Sequence, residues 1–248
     1  FFFLVSYFVS VFSVFGGGLS FLALPRRGFR AGVDPVLLAA SVPAIAGQSV
    51  LDLGCGAGAA ALCLGARVPG LDLLGVERQA DYAALAARNG LDVVTAALSD
   101  LPDAVKQRSF DHVLANPPYF DRSAGHEAAD TGREGALGLD TPLLTWVDVA
   151  ARRLRPKGYL HMINRVERVP DVLSVAQAHL GSLELWPICP RLGKAAELVI
   201  LRARKDGRAP FRLHAPIILH AGPRHERDGD DYTPEIKAVL RDGVALLS

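Results

Sequence analysis

Cysteine is scarce in this chain of 248 residues, and its scarcity argues against two classes of protein. The three cysteines, Cys55, Cys63 and Cys189, are odd in number, and their spacing fits neither a disulfide framework nor a zinc site. Reduced thiols suit the cytoplasm, where we expect the protein to work. The sequence also lacks a serine nucleophile elbow and a phosphate-binding P-loop. We therefore expect neither of those chemistries and no bound metal.

An excess of charge is missing as well, because the formal net charge is only +1. The overall charge does not mark a nucleic-acid-binding protein, so any basic surface must come from local clustering. Two clusters could grip RNA phosphates, although ordinary solvated surface is the alternative. The first comprises Arg26, Arg27 and Arg30, and the second comprises Arg191, Lys194, Arg202, Arg204 and Lys205.

The first 24 residues contain no charge at all. Phe1–Leu24 is therefore long and apolar enough to contact or span a membrane. However, Gly16-Gly17-Gly18 interrupts the run, and its mixture of Phe, Val, Tyr and Ser favours strands. We expect a terminal β segment in which Leu19–Leu24 pairs as a strand, and we keep the membrane contact as the alternative.

Short apolar runs alternate with helical patterns through the middle of the chain, which predicts a parallel α/β sheet. The predicted strands are Ser49–Leu53, Leu71–Val76, Leu91–Thr95, Phe110–Ala115, Tyr159–Ile163, Leu183–Ile188 and Glu197–Arg204. A short connection joins the last two, which indicates an antiparallel hairpin. We divide the chain into a lead-in of residues 1–45 and a main domain of residues 46–248.

Helices are predicted between these strands. Before the first strand, Asp34 is predicted as an N-cap and Pro35 as the first helical residue. The others are Ala57–Leu64, Gln79–Asn89, a helix that opens at Thr141-Pro142, and Asp171–Leu180. The helix that opens at Thr141-Pro142 places its apolar residues on one face, which predicts a core face. That face comprises Leu143, Leu144, Val147, Ala150, Ala151 and Leu154.

Val50–Gly58 combines a buried strand, a glycine-spaced turn and the start of a helix. Glycines let the backbone turn sharply and approach a ligand, and the helix N-terminus offers free N–H groups. Asp52 would repel a pyrophosphate but suits a cation. Glu77, at the end of the next strand, is placed to accept both hydroxyls of an adenosine ribose. The pattern predicts an S-adenosylmethionine site, with a tight turn carrying a surface acid as the alternative.

Asn116-Pro117-Pro118-Tyr119 directly follows the fourth strand of the sheet. Ligands of open α/β sheets bind at the carboxyl ends of strands, so this tetrapeptide should face the same crevice. The Asn116 side-chain oxygen and the Pro117 carbonyl can accept both N–H bonds of a planar amine, while Tyr119 can stack on it. The two prolines, Pro117 and Pro118, stiffen the loop. The motif predicts an exocyclic amino group as the methyl acceptor, although a rigid turn is the alternative.

Together the two motifs resemble the amino-group methyltransferases that carry an Asn/Asp-Pro-Pro-aromatic tetrapeptide. Gly28–Ala40 and Asp228–Arg241 are similar to the matching segments of bacterial tRNA adenine-N6 methyltransferases, which modify the adenine beside the anticodon of a valine tRNA. The resemblance extends from Phe15 to the C-terminus. It implies a seven-stranded, Rossmann-like class I methyltransferase sheet, mostly parallel with a C-terminal antiparallel hairpin. It also implies S-adenosylmethionine as cofactor and tRNA as substrate.

The resemblance also implies which residues contact the cofactor. The segment around Gly32 and Asp34 is expected to close over it. The acid that this family carries after the third strand falls on Ala97 here, so Asp100 is the nearest acid to the adenine ring. The implied contacts are Gly32, Asp34, Asp52, Gly54, Cys55, Gly56, Gly58, Glu77, Arg78, Asp100 and Asn116.

Three other functions compete with tRNA methylation. A glutamine-amide methyltransferase of proteins could use the same acceptors, but the residues before the cofactor turn leave little room for its usual helical substrate domain. For a DNA adenine methyltransferase, no separate recognition domain is visible. A membrane-anchored, non-catalytic cofactor-binding protein is favoured by Phe1–Leu24 and opposed by the complete motif at Asn116–Tyr119.

Overall fold

The structure, a computed structural model, describes residues 7–13, 19–25, 32–118, 141–222 and 231–247. Tyr119 and the arginines Arg26, Arg27 and Arg30 lie outside these ranges. Within them, the chain forms a two-stranded hairpin and an α/β unit built on a single nine-stranded sheet.

The hairpin contains β1 (Tyr7–Ser13) and β2 (Leu19–Pro25), paired antiparallel with Tyr7 opposite Pro25. The predicted strand at Leu19–Leu24 is therefore confirmed. Residues 1–6 and 14–18 of the uncharged N-terminal run lie outside the described ranges. Across the described ranges, every helix is too short or too polar to cross a membrane.

The sheet has the order β5-β4-β3-β6-β7-β9-β8, and two short strands, β10 and β11, both pair with β8. Strands β3 to β7 run parallel, whereas β9 is antiparallel to both of its neighbours. This confirms the predicted seven strands and the C-terminal antiparallel hairpin. The strands are β3 (Ser49–Leu53), β4 (Asp72–Glu77), β5 (Val93–Thr95), β6 (Phe110–Ala115), β7 (Leu154–Arg165), β8 (Gly181–Arg191), β9 (Leu198–Arg204), β10 (Arg212–Leu213) and β11 (Ile217–His220).

Seven α-helices lie within the described ranges. They are α1 (Asp34–Ala40), α2 (Ala59–Arg67), α3 (Ala80–Arg88), α4 (Asp103–Lys106), α5 (Leu143–Arg153), α6 (Val169–His179) and α7 (Pro234–Asp242). The start of α1 differs from the prediction, because Val33 is the N-cap and Asp34 is already helical. The Asp34 carboxylate thus lies in the first turn, where the helix dipole favours a negative charge.

Two large apolar clusters, one on each face of the sheet, hold most of the elements together. Helices α5 and α6 pack on one face, where Phe110 is completely buried. Helices α1, α2 and α7 contribute to the other cluster, which includes Leu37 and Ile236. Helix α1 therefore shares a core with the strands of the main sheet. The division of the chain at residue 45 stays a prediction.

The predicted core face of α5 differs from the structure at two positions, because Leu154, although buried, follows the helix as the first residue of β7, and because Leu144 is exposed. Leu144 is 52% exposed, whereas Leu143, Val147 and Ala150 are buried. Successive helical residues are turned by about 100°, so Leu144 points away from the sheet when its neighbour Leu143 points towards it. Trp146 takes the inward position instead.

The second basic cluster of the sequence does not form one patch. Arg191 and Lys194 lie at one end of the β8–β9 hairpin, and Arg202 and Arg204 lie on the part of β9 nearer the other end. Arg191 is also buried, and it donates hydrogen bonds to backbone carbonyls and to the carboxylate of Asp231. The Arg191 guanidinium is therefore paired within the protein.

Candidate functional site

The glycine turn, residues 54–58, connects β3 to α2 at the carboxyl edge of the parallel strands. Gly54, Gly56 and Gly58 have φ angles of +59°, +56° and +90°. Residues other than glycine rarely adopt this left-handed backbone conformation, so the three glycines are needed for the path of the chain. The sequence placed this turn correctly.

Hydrogen bonds fix the turn to its surroundings. The Cys55 N–H donates to the Val76 carbonyl at 3.0 Å, and the Gly58 N–H donates to the Cys55 carbonyl at 2.8 Å. On the outer side, the Asn89 side-chain amide donates to the Ala57 carbonyl at 2.9 Å. These backbone N–H and carbonyl groups are hydrogen-bonded within the protein, so the turn is held in place before any ligand binds.

Asp52 lies buried at the end of β3, where its carboxylate accepts the Ala61 N–H at 3.2 Å. Burial raises the pKa of Asp52 to about 7; the hydrogen bond from Ala61 lowers it and the nearby charge of Glu77 raises it. A positively charged ligand would favour the ionised form. Asp52 is thus suited to bind a cation.

Glu77 ends the neighbouring strand β4 and is also buried. Its Oε2 accepts the Gly56 N–H at 3.0 Å, and its Oε1 accepts the Gln79 N–H at 2.8 Å. Carboxylate oxygens have further lone pairs, which can accept ligand hydroxyls. Asp52 and Glu77 together would repel a phosphate, and they fit a ligand with a cationic group and a ribose. This donor and acceptor set fits S-adenosylmethionine.

Cys55 lies in the turn, but its side chain packs away into the core. Its thiol is buried, and burial raises the pKa of Cys55 well above its usual range. A Cβ added to Gly75 would lie 2.6 Å from the Cys55 sulfur, so the two residues fit closely together. The predicted contact between Cys55 and a cofactor stays a prediction. The Cys55 side chain supports the turn from the core side by packing against Gly75.

Asn116 lies beside the glycine turn. Strand β6 ends at Ala115, which is paired with Leu53, the last residue of β3. Asn116 and Gly54, the residues that follow, are therefore lateral neighbours at the same edge of the sheet. Asn116 and Pro118 are half-buried, and Pro117 is buried. The structure thus brings together the two motifs that the sequence separates, up to Pro118.

The remaining predicted cofactor residues lie around the edge of this region. Asp100 is exposed in a short 3₁₀ turn after β5, and its N–H donates to the Ala97 carbonyl at 3.0 Å. Arg78 is exposed directly after Glu77. Gly32 is exposed and Asp34 half-buried at the start of α1. The contacts predicted for these residues remain predictions.

Trp146 is the residue of this region that sequence reasoning missed. Its indole is buried against Gly54, where an added Cβ would lie 3.0 Å from Cζ3 and closer still to Cη2. The indole Nε1 is buried and has no hydrogen-bond partner among the described residues. The helical spacing could have indicated that Trp146 is buried, because it lies three residues after Leu143 on the same face of the helix.

A metal site is not evident in the part of the chain that the structure describes. No group of three or more His, Cys, Asp or Glu residues there could hold a metal ion. The described residues at this edge supply hydrogen-bond acceptors, two buried carboxylates and a backbone turn.

Comparison with known proteins places the chain in a family. The model of the methyltransferase small domain matches residues 31–184. A tRNA1(Val) (adenine(37)-N6)-methyltransferase from Yersinia pseudotuberculosis serotype O:3 (strain YPIII) is 34% identical, with 92% of each chain covered. The enzyme of the same name from Dickeya chrysanthemi (strain Ech1591) is 29% identical, with 90% of each chain covered.

Solved structures share the fold. A predicted O-methyltransferase from Agrobacterium tumefaciens superposes with a TM-score of 0.70 at 26% identity, over 87% of this chain and 99% of that one. The 16S rRNA N2 G1207 methyltransferase of T. thermophilus, solved with AdoMet and guanosine, gives a TM-score of 0.54 at 24% identity, over 81% of this chain and 50% of that one.

Proposed function

The chain belongs to the methyltransferase small domain family and to the family of tRNA1(Val) (adenine(37)-N6)-methyltransferases, and from that premise we propose that it methylates an adenine N6 in tRNA. It is an S-adenosylmethionine-dependent methyltransferase. The observation that carries the proposal is the position of Asn116 beside the glycine turn, at the carboxyl edge of the sheet. We propose tRNA as its partner and the cytoplasm as its place of action.

The proposed roles follow from the chemistry of each residue. S-adenosylmethionine, when bound, supplies a methyl group on a sulfonium, which a nitrogen lone pair can attack. Asp52 favours the cationic end of the ligand and Glu77 accepts the ribose hydroxyls, while the glycine turn allows close approach. These contacts orient the methyl group, and in this proposal catalysis depends mostly on proximity and orientation.

At the acceptor side, Asn116 activates the target nitrogen. An exocyclic amine of adenine is a poor nucleophile because its lone pair is conjugated with the ring. The Asn116 side-chain oxygen and the Pro117 carbonyl accept its two N–H bonds and hold the lone pair out of conjugation. Pro117 and Pro118 restrict the backbone and keep both acceptors in place. Tyr119 stacks on the flat base in this proposal.

Transfer of labelled methyl groups to total tRNA, total protein and DNA tests the substrate class. Incorporation at N6 of adenine in tRNA is expected, read by nucleoside analysis of the labelled RNA. Incorporation into glutamine residues of protein would favour the amide methyltransferase and overturn the proposal. Incorporation into DNA alone would overturn it as well.

Variants of Asn116 test the residue that carries the proposal. Asn116→Ala is expected to lower transfer by about 100-fold or more while the Kd for S-adenosylmethionine changes by only about a few-fold, because Asn116 is one of many implied cofactor contacts but the main acceptor for the target amine. Asn116→Asp is the matched control, since its side chain keeps the acceptor oxygens and should retain partial activity. Normal turnover of Asn116→Ala would show that another residue activates the amine.

A further inference from the structure

Trp146 lies where the two halves of the site meet. Its indole contacts Gly54, the first residue of the glycine turn, and Gly54 is the lateral neighbour of Asn116. Helix α5, which carries Trp146, also packs against the 3₁₀ turn that contains Asp100. The indole therefore packs directly against the first residue of the predicted cofactor turn.

The indole N–H of Trp146 is an unused donor. The side chain is only 6% exposed, and Nε1 has no acceptor within the described ranges. Buried polar groups are almost always hydrogen-bonded, and an unmet donor lowers stability. A donor of this kind beside a ligand site is explained if the ligand brings the acceptor.

Three backbone N–H groups of the turn are already used within the protein. The N–H groups of Cys55, Gly56 and Gly58 donate to Val76, to Glu77 and to Cys55, respectively. Asp52 and Glu77 are acceptors, and as carboxylates they repel another carboxylate. S-adenosylmethionine carries one carboxylate in addition to its ammonium and ribose groups. An uncharged donor packed against the turn, such as the Trp146 indole N–H, would offset this repulsion and bind the carboxylate.

We infer that Trp146 is a cofactor-binding residue, whose indole N–H donates a hydrogen bond to the carboxylate of bound S-adenosylmethionine. The inference rests on the proposed function only through the cofactor, and not through tRNA or Asn116. It also explains why the indole packs so closely on Gly54: the contact fixes the ring, so that the N–H is held in one direction before the ligand arrives.

Trp146→Phe tests the inference, since phenylalanine keeps an aromatic ring and removes the N–H. The Kd for S-adenosylmethionine, measured by calorimetry, is expected to rise about 10-fold or more, the effect of losing a hydrogen bond to a charged group. The Kd for 5′-methylthioadenosine, which has no carboxylate, is expected to stay unchanged. Equal losses for both ligands, or no loss for either, would overturn the carboxylate assignment. Trp186→Phe removes the other tryptophan and is the matched control.

A second measurement needs no change at position 146. The protein contains two tryptophans, so ¹⁵N-labelled protein has two indole N–H signals, and Trp186→Phe identifies that of Trp146. S-adenosylmethionine is expected to shift this signal downfield, and 5′-methylthioadenosine is not. A signal that both ligands leave in place would overturn the inference. Cofactor binding without any transfer to tRNA would instead contradict the proposed function and leave Trp146 in its role.

Discussion

Glu77 and Gly56 are joined by a hydrogen bond, in which the backbone N–H of Gly56 donates to Oε2 of Glu77 at 3.0 Å. The same carboxylate accepts the N–H of Gln79, the N-cap of α3. One buried acid thus connects the glycine turn to the start of the next helix. The ribose of the proposed ligand would share this carboxylate with two backbone donors. Those donors fix the position of the carboxylate before the ligand binds.

Glu77→Gln is therefore expected to weaken cofactor binding more than it weakens the fold. The amide oxygen can accept from only one of the two backbone donors, Gly56 or Gln79, and the variant also loses the charge and the lone pairs that ribose hydroxyls would use. We expect the Kd for S-adenosylmethionine to rise about 10- to 100-fold, with the thermal midpoint changed by only a few degrees. Calorimetric titration and thermal unfolding check this.

Asp81→Asn is the matched control for Glu77→Gln, because Asp81 is an exposed acid in the first turn of α3. It removes the same charge a few residues away without touching the turn. A cofactor affinity of Glu77→Gln equal to that of Asp81→Asn would contradict the role of Glu77 in binding.

The buried strands could be predicted from the sequence because each is a short, mostly apolar segment that is followed by polar or glycine residues. Ser49–Leu53 and Phe110–Ala115 match their predicted bounds. In a parallel sheet both faces of such strands are covered, so the run is continuous and easy to recognise. β10 and β11 were missed, since strands of two and four residues carry too little pattern.

The candidate site could be predicted only for residues whose position follows from their place directly after a strand. The glycine turn and Asn116 each end a strand, and a parallel sheet brings such ends together. The helical spacing could place Trp146 on the buried face of α5, but its contact with Gly54 could not be predicted, since it depends on how α5 packs over the strands. The burial of Arg191 was hidden for the same reason, because its partner Asp231 lies forty residues further along the chain.

Gly54→Ala is expected to destabilise the protein more than Gly56→Ala. Both residues have φ near +60°, so an alanine at either position is strained by about 1–2 kcal/mol. Only at Gly54 would the new Cβ also overlap the Trp146 indole, whereas nothing lies within 4 Å of a Cβ at Gly56. Overpacking adds about 1–3 kcal/mol. Urea unfolding of both variants measures the difference.

The double variant Gly54→Ala with Trp146→Phe separates the two causes. The smaller ring should relieve part of the overlap and leave the backbone strain, so the double variant should unfold less readily than the sum of the single effects predicts. Strict additivity would mean that the indole does not limit position 54.

Arg191 is expected to act on stability and not on RNA binding. It is buried and donates to the carbonyls of Ala221 and Gly222 and to the carboxylate of Asp231. Arg191→Leu removes all of these hydrogen bonds, although Asp231 keeps its contact with His220, and should lower the thermal midpoint by about 5 °C or more. Lys194→Ala, in the exposed turn beside it, should leave the midpoint unchanged. Equal midpoints for the two variants would contradict this assignment.

Asp52 is expected to make stability and cofactor affinity depend on pH in opposite ways. Its pKa is about 7 in the fold and 3.8 as the ordinary value, so the folded protein holds the proton more tightly than the unfolded chain. The contribution of protonated Asp52 to the free energy of unfolding is full below about pH 4. It is lost as the pH rises to about 7, and the loss is roughly 4 kcal/mol at most. Asp52→Asn lacks this loss, so the wild type should become less stable relative to the variant between pH 4.5 and about 7.5.

Cofactor binding reverses this preference. A cationic ligand favours the ionised carboxylate, so below pH 7 wild-type binding must release a proton from Asp52, and its affinity should fall by up to about 10-fold per pH unit. In Asp52→Asn this proton is absent, while ionisation of the ligand itself is common to both proteins. The ratio of the two Kd values for S-adenosylmethionine should therefore change below pH 7 and level off above it. A ratio that is constant from pH 5.5 to about 8 would show that Asp52 does not sense the ligand's charge.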